Sequence, residues 1–492
     1  MIAIGIDLGT SFIKVSAYDT VAAVCVAAAQ YPEKECGIVS REPNWAEQSP
    51  ADWWHHVKQA ILLLHAQNKY DPAAIGAIGI AYQMHGLVCL DEHNQVLRDS
   101  IIWCDSRAVE IGNQAMNAIG EDYCLNHLLN APGNFTASKL AWVKKNEPEL
   151  FAKIKTILLP GDFIAYQLTG KLSTTVSALT EAVCWDFKTN TVSEKLMDYF
   201  GFDASIIPEI KDNFEIHGNL LDTVAKELGL PAGIPVSYKA GDQPNNAFSL
   251  NVMKEGEMAA TAGTSGVIYA VTEKLFHDVQ SRVNTFAHVN HLAANHSLGV
   301  LMCINGTGIL YKYIRSILGK NLSYAELNEL AAAVPVGSEG LLMLPFGNGA
   351  ERILGNRTVG SHLLNLNFNI HTPSHIVRAA LEGIAFAFQY GLNIMRENGI
   401  QLSVVKAPRA NLFLSEVFID AFVNTTGLTL ELYEADGSIG AAKGACAGVF
   451  MSEKKEPPLL AANAVRVIHP DKQNLYDDHY NNWETELKKK LQ

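Results

Sequence analysis

At 492 residues the chain exceeds the roughly 250–300 residues at which one hydrophobic core stops growing, so two domains are expected. Hydrophobic residues make up 48%, charged residues 18% and aromatics 9%, which excludes a disordered chain. A formal net charge of −13 argues against nucleic acid or an anionic membrane surface as partner.

The eight cysteines (Cys25, Cys36, Cys89, Cys104, Cys124, Cys184, Cys303 and Cys446) form no C-x-x-C pair and no zinc-like cluster, as expected of reduced thiols in a cytosolic protein. Met1 to Asp7 has no basic stretch and places a carboxylate where a signal peptide needs apolar residues. No apolar run reaches the ~18 residues of a membrane helix. The expectation is a soluble, cytoplasmic protein.

In chain order, Ile2–Ile6 is a short apolar run that ends in Asp7-Leu8-Gly9-Thr10-Ser11, after which apolar alternation resumes at Phe12, Ile13 and Val15. This predicts a β-hairpin at the edge of a core. Trp53-Trp54-His55-His56 reads as the packed start of a helix. A second apolar stretch, Ile75–Ile80, leads into Tyr82-Gln83-Met84-His85-Gly86. A third, Ile234–Tyr238, ends at Gly241-Asp242-Gln243, followed by the turn-forming Pro244 and Asn245.

A polar, Gly-containing break at Met253–Glu257 places the domain boundary near residues 246–256, giving domains 1–248 and 249–492. The opening pattern then recurs: Met258–Ala262 enters Gly263-Thr264-Ser265-Gly266 and leaves through Val267, Ile268 and Tyr269. Identical Gly-Thr-Ser turns near the start of each half suggest duplication. His288, His291 and His296 read as structural, not as a metal site. A long buried helix is predicted from Pro373 to Asn398, with Thr372 as its cap and Gly399 as its stop. The polar tail from Ser452 to Gln492 reads as a surface segment. Alternating strand-like and helix-like segments give an α/β chain.

The familiar nucleotide signatures G-x-x-x-x-G-K-[ST] and G-x-G-x-x-G are absent, as is H-E-x-x-H. The two Gly-Thr-Ser turns offer another device. Glycine lets the backbone approach an anion, and hydroxyls and N–H groups bind phosphate oxygens without net positive charge. Asp7, at the end of a buried strand, must be solvated, paired or bound to metal. The reading is Mg²⁺ organised beside the phosphates, usually through water. Asp242 stands at the carboxyl end of a strand, where open α/β sheets bind ligands. It would orient a substrate hydroxyl and take its proton late in phosphoryl transfer, because an aspartate near pH 4 is a poor base for a sugar alcohol.

Asp7–Val15, Gln83-Met84-His85-Gly86, Ile102-Trp103-Cys104-Asp105-Ser106-Arg107, Gly241-Asp242 and Ala262–Gly266 together resemble the FGGY carbohydrate kinases. Within that family the Gln-Met-His-Gly string is similar to that of the xylulose kinases. The resemblance implies two ribonuclease-H-like (actin-type ATPase) domains flanking a cleft that closes on ATP, Mg²⁺ and a ketose, and a homodimer is common among such proteins. It implies Asp242 as proton acceptor, with Gln243 beside it, and Asp7 near the metal-bound phosphates. Met84 and His85 would contact the sugar, with Trp103 and Asn134 as wall residues. Gly9, Thr10, Ser11, Gly263, Thr264 and Ser265 would meet the phosphates, Gly306 the nucleotide, and Ala410-Asn411 the adenosine.

The sequence departs from the family at four places. Lys406-Ala407-Pro408-Arg409-Ala410 replaces an adenosine-side Gly-Gly-Gly-Ala turn. Gln243-Pro244 follows Asp242 where xylulose kinases carry Asn. Ser177-Ala178-Leu179 lacks a customary acid, and Glu351-Arg352 lacks the usual Thr-Pro. The fold expectation survives these changes. They leave L-xylulose, ribulose, rhamnulose or a polyol open as substrate, and also a sugar or nucleotide sensor that has lost catalysis.

Overall fold

The computed structural model describes residues 1–319, 322–455 and 463–492. Its first sheet is six-stranded. β1 (Ile2–Leu8), β2 (Ile13–Asp19) and β3 (Val24–Tyr31) form an antiparallel meander. On the other side of β1, β4 (Ile75–Tyr82) pairs with it in parallel. β6 (Pro235–Gly241) is parallel to β4, and the short β5 (Gly218–Asn219) lies antiparallel to β6 at the edge.

The second sheet repeats this plan. β7 (Glu257–Ala262) pairs antiparallel with β8 (Gly266–Thr272), and β8 pairs antiparallel with β10 (Leu298–Ile304), as β1, β2 and β3 do. β11 (Val404–Pro408) and β12 (Thr429–Tyr433) add in parallel beyond β7, and β13 (Arg466–Ile468) closes the edge antiparallel. β9 (Asn284–Ala287) is the one addition, outside β10. The duplication suggested by two tripeptides extends to the connectivity of both sheets.

Both hairpins form where alternation predicts them. β1 and β2 meet at Leu8↔Ile13, β7 and β8 at Ala262↔Gly266, with the Gly-Thr-Ser turns between. Inward positions (Ile4, Ile6, Leu8, Ile13, Val15) are fully buried. Burying such side chains stabilises the lobe by about 1.5–3 kcal/mol each. α1 (Pro50–Ala66) starts at a Ser49 cap and buries Trp53, whose indole donates to Gln48 Oε1 (3.1 Å). α5 (Pro373–Glu397) begins after the Thr372 cap and stops before Gly399, as its sequence predicts.

The tail departs from expectation. α7 (Gln473–Lys490) sinks Tyr476, Trp483 and Leu487 completely into the second core, and the Trp483 indole donates to the Met343 carbonyl (2.8 Å). Tyr476, Tyr480, Trp483 and Leu487 recur at three- and four-residue spacing, a narrow apolar stripe on an otherwise charged helix. Residues 456–462 of that tail lie outside the described residues.

α6 (Gly437–Ser452) belongs to the second half of the sequence yet packs on β1, β4 and β6 of the first sheet. The fit requires glycine on the strands. A Cβ on Gly5 would sit 1.8 Å from the Ser438 carbonyl oxygen, and one on Gly79 would sit 2.0 Å from that of Ala441. α3 (Asp242–Ser249), which follows β6 directly, packs against α6 as well.

Candidate active site

A cavity of about 440 Å³ lies between the two lobes. From the first lobe it is lined by Gly9, Thr10, Gln83, Met84, His85, Trp103, Asn134, Phe135, Asp242 and Gln243. The second lobe contributes Ser265, Val267, Asn284, Leu301, Cys303, Asn305, Ala350, Arg352 and Asn356.

Asp242 is placed by β6, whose last residue, Gly241, caps α3. A Cβ on Gly241 would strike Met84 Cγ at 2.7 Å and Glu181 Oε2 at 2.9 Å, so glycine lets the floor close beneath the aspartate. Burial pushes the Asp242 carboxyl up to about 6, opposed by hydrogen bonds from the Gln243 side chain and backbone. Gln243 Nε2 donates to Asp242 Oδ2 (3.2 Å). Asp242 is thus a stronger base than the bare residue type predicts.

His85 follows β4 in the left-handed region (φ 62°), which turns its ring into the cavity. The ring lies edge-on to Phe135 (4.9 Å) and near Phe286 (5.4 Å). Burial pushes it down to about 3, helped by the charges of Lys139 and Arg352 and opposed by its bond to the Glu181 carbonyl, so the imidazole is neutral. Nδ1 lies 2.8 Å from that carbonyl oxygen, so Nδ1 carries the hydrogen and Nε2 is left as an acceptor. Asn134 likewise donates Nδ2 to the Asp105 carbonyl, and its Oδ1 is buried with no partner. Asn284 donates Nδ2 to Asn130 Oδ1 (3.0 Å), which fixes its own Oδ1 as the free end.

Glu181, two residues beyond Leu179, brings a buried carboxyl beneath Gly241 and Met84. Its Oε1 accepts from the Tyr82 hydroxyl (2.7 Å) and its Oε2 has no partner. Burial, reinforced by the charge of Asp242 and opposed by the Tyr82 hydrogen bond, raises its proton affinity well above that of an ordinary carboxylate.

Thr10 lies on the cavity, but its hydroxyl does not face a phosphate unengaged. It donates to Gln83 Oε1 (3.0 Å) and accepts from the Trp103 indole (2.9 Å). Thr10 thereby orders Trp103, which is 51% exposed. At the second turn the carbonyls of Gly263 and Thr264 accept from the N–H groups of Gly308 (2.9 Å) and Ile309 (3.1 Å) at the start of α4 (Gly308–Leu318). Since N–H and C=O point oppositely across a trans peptide, the N–H groups of Thr264 and Ser265 face away from α4.

Asp7 does not line the cavity. It sits within β1, opposite Lys14 in the hairpin, and a Cβ on Gly437 would fall 2.4 Å from its Oδ2. Burial and the neighbouring Asp436, then Asp242, push it up to about 7 against the pull of Lys14. The carboxylates of residues 7 and 242 are thus electrostatic neighbours, and their crowding suits a cation. Among the described residues no group of three or more His, Cys, Asp or Glu side chains forms a metal cage.

Gly306 and the adenosine-side pair also lie off the cavity wall. A Cβ on Gly306 would meet the Pro345 carbonyl at 1.7 Å, so this glycine serves a backbone contact. Asn411 (φ 57°) stands beside Gly263, its Nδ2 3.5 Å from a Cβ placed there, and Ala410 precedes it as a cap. His288 is bonded within the core, Nε2 donating to the Val252 carbonyl (3.1 Å) and Nδ1 accepting from the Tyr269 hydroxyl (3.2 Å).

Sequence reasoning missed Phe135, Asn284, Cys303 and Asn305 and gave Arg352 no role. Asn284, Cys303 and Asn305 reach the site only through the pairing of β8, β9 and β10. No local spacing announces that pairing.

Residues 2–249 match the N-terminal domain of the FGGY family of carbohydrate kinases, and residues 258–443 match its C-terminal domain. The chain is 29% identical over 462 residues to the xylulose kinase of Escherichia coli, covering 93% of this chain and 91% of that protein. It is 29% identical over 408 residues to the xylulose kinase of Bacillus subtilis, covering 82% and 79%. The crystal structure of a xyloylose kinase from Brucella ovis superposes with a TM-score of 0.88 at 25% identity, covering 99% of both chains. The chain belongs to the FGGY family of carbohydrate kinases and is, by that membership, an ATP-dependent sugar kinase.

Proposed function

We propose that the protein transfers the terminal phosphoryl group of ATP to a ketose, D-xylulose being the favoured substrate, and releases D-xylulose 5-phosphate. The observation that carries this reading is the shared cavity of Asp242, His85 and Asn134 beside both Gly-Thr-Ser turns. Identity of 26–29% to several proteins named xylulose kinase supports the choice of sugar.

The attacking hydroxyl donates its hydrogen bond to Asp242. As the O–P bond forms and the bond to the ADP oxygen breaks, the hydroxyl proton passes to Asp242, whose raised affinity suits late acceptance. His85 Nε2 and Asn134 Oδ1 accept other sugar hydroxyls, Met84 and Trp103 form the walls, and Gln243 steadies the base. Backbone N–H groups of Thr10, Ser11 and Gly263–Ser265 cradle the phosphates, with Gly306 and Ala410-Asn411 toward the nucleoside, while the Gly9 N–H holds the turn itself through the Asp7 and Phe12 carbonyls (3.1 and 3.2 Å). Mg²⁺, held by Asp7 through water, would neutralise phosphate charge. Residues 1–248 and 249–492 act as the two lobes that close and exclude water, and the free thiols suit a cytoplasmic setting.

An ADP-release assay across ketopentoses tests this. Turnover that depends on D-xylulose is expected. Hydrolysis independent of sugar, or binding without turnover, refutes the reading.

A further inference from the structure

The cavity is rich in hydrogen-bond acceptors. Asp242, His85 Nε2, Asn134 Oδ1 and Asn284 Oδ1 are all acceptors, fixed as such by their other bonds. Each can receive a sugar hydroxyl. A ketone oxygen has no hydrogen to give and must meet a donor. Thr10 and Trp103 have spent their hydrogens on Gln83 and on Thr10, while Gln83 and Gln243 each keep one amide hydrogen beyond those given to Gln48 and Asp242. The Asn305 amide donates to the Ala350 carbonyl (2.8 Å), and the Asn356 amide stands on the exposed rim.

Arg352 has more donors free. A guanidinium has five N–H donors and accepts nothing. Its one hydrogen bond among the described residues is a long contact to the Ser281 carbonyl (3.5 Å). Glu351 beside it is occupied by the Asn305 N–H (3.0 Å). Other partly or fully buried arginines differ: Arg107 grips Asp105 and Glu47, Arg282 grips Asp278, and Arg378 grips Glu382. Leaving a guanidinium half-buried without an acceptor is unfavourable unless something else supplies one.

We infer that Arg352, reaching from the second lobe beside His85, is a specificity residue that reads the ketone oxygen of the substrate and so separates ketoses from the corresponding polyols. This rests on the sugar-kinase reading above and adds how the site recognises its substrate class.

The test compares D-xylulose with xylitol, which replaces the ketone by a hydroxyl-bearing carbon. Dissociation constants come from calorimetry and from quenching of Trp103 on the cavity rim. The wild type should hold the ketose more tightly. R352A should weaken ketose binding on the order of 10- to 100-fold, the range for a hydrogen bond from a charged donor. Xylitol should change by less than about threefold. R352K keeps the stem and the charge but loses the planar fork, and should fall between; if R352A does not fold, it carries the same comparison. Equal weakening of both ligands, or a wild type that binds both alike, overturns the inference. Failure of the kinase reading looks different: the unmodified protein would then release no ADP on addition of ketose.

Discussion

Replacing Asp242 by asparagine separates what this residue does for chemistry from what it does to the fold. The amide keeps the size of the carboxylate and can still accept from Gln243, so sugar affinity should change little. The proton acceptor is gone, and general base catalysis contributes about 10²–10⁴ in rate, so kcat should fall by that factor. Stability should move the other way. The folded carboxyl is raised to about 6 from 3.8. Above pH 6 the native state therefore carries a charge it holds less well than the unfolded chain does, a penalty of up to about 3 kcal/mol. The N-terminus of α3 favours the anion by about 0.3–1 kcal/mol, which asparagine forgoes. D242N should thus be about 2 kcal/mol more stable at pH 8, seen as a rise of several degrees in Tm by calorimetry. Near-normal turnover, or a lowered Tm, would refute this account of the residue.

Lowering the pH should remove activity before it removes structure. Asp7 and Asp242, raised to about 7 and about 6, gain protons as pH drops, and kcat/KM should show an acid limb belonging to the coupled pair. In that window the native state binds more protons than the unfolded chain, so these two groups add stability as pH falls; a flat profile down to pH 5 contradicts the assignment. Gly79→Ala puts a Cβ 2.0 Å from the Ala441 carbonyl and should cost at least about 3 kcal/mol by overpacking, whereas Gly37→Ala, with nothing within 4 Å, should be neutral in the same melting experiment. Lys239 Nζ, fully buried, donates to Asp162 Oδ1 (2.6 Å) and the Ser173 carbonyl (2.7 Å). Lys239→Met strands Asp162 and should lose about 3–5 kcal/mol, much of it restored in K239M/D162L; a loss below about 1 kcal/mol would show the pair to be dispensable.

What the sequence reveals is what short-range physics encodes. Both hairpins were legible because strand alternation flanks a glycine turn, and the long helix because Thr372 and Gly399 bracket an apolar face. Asp242 was legible as the residue where a buried strand meets polar turn formers. Other features escaped for identifiable reasons. The tail's buried stripe is outnumbered by charged neighbours on α7. The Thr10 hydroxyl looked free for phosphate because its partners, Gln83 and Trp103, are 73 and 93 residues away. The raised proton affinity of Glu181 comes from burial under Gly241 and Met84, which no local motif encodes.

The two carboxylates owe their relative position to core packing and not to loops. α3 carries Asp242 on its first turn, and the same helix sends Asn245 Nδ2 to the Gly437 carbonyl (2.9 Å) and Ser249 Oγ to that of Asp436 (3.3 Å). Gly437 abuts Asp7, and Ser438 next to it bonds Ser16 on β2 (2.6 Å). Asp242, α3, the start of α6 and Asp7 thus form one connected unit seated on the first sheet by glycine contacts. Asp242 belongs to this unit and His85 follows a strand beneath it, whereas Asn134 stands on a loop tied to the Asp105 carbonyl. The Gly263 turn and Arg352 are carried by the other lobe. With Asp242 on one lobe and a Gly-Thr-Ser turn on each, the proposed mechanism needs both lobes to meet before the reacting atoms are fully contacted, which would keep water from taking the phosphoryl group.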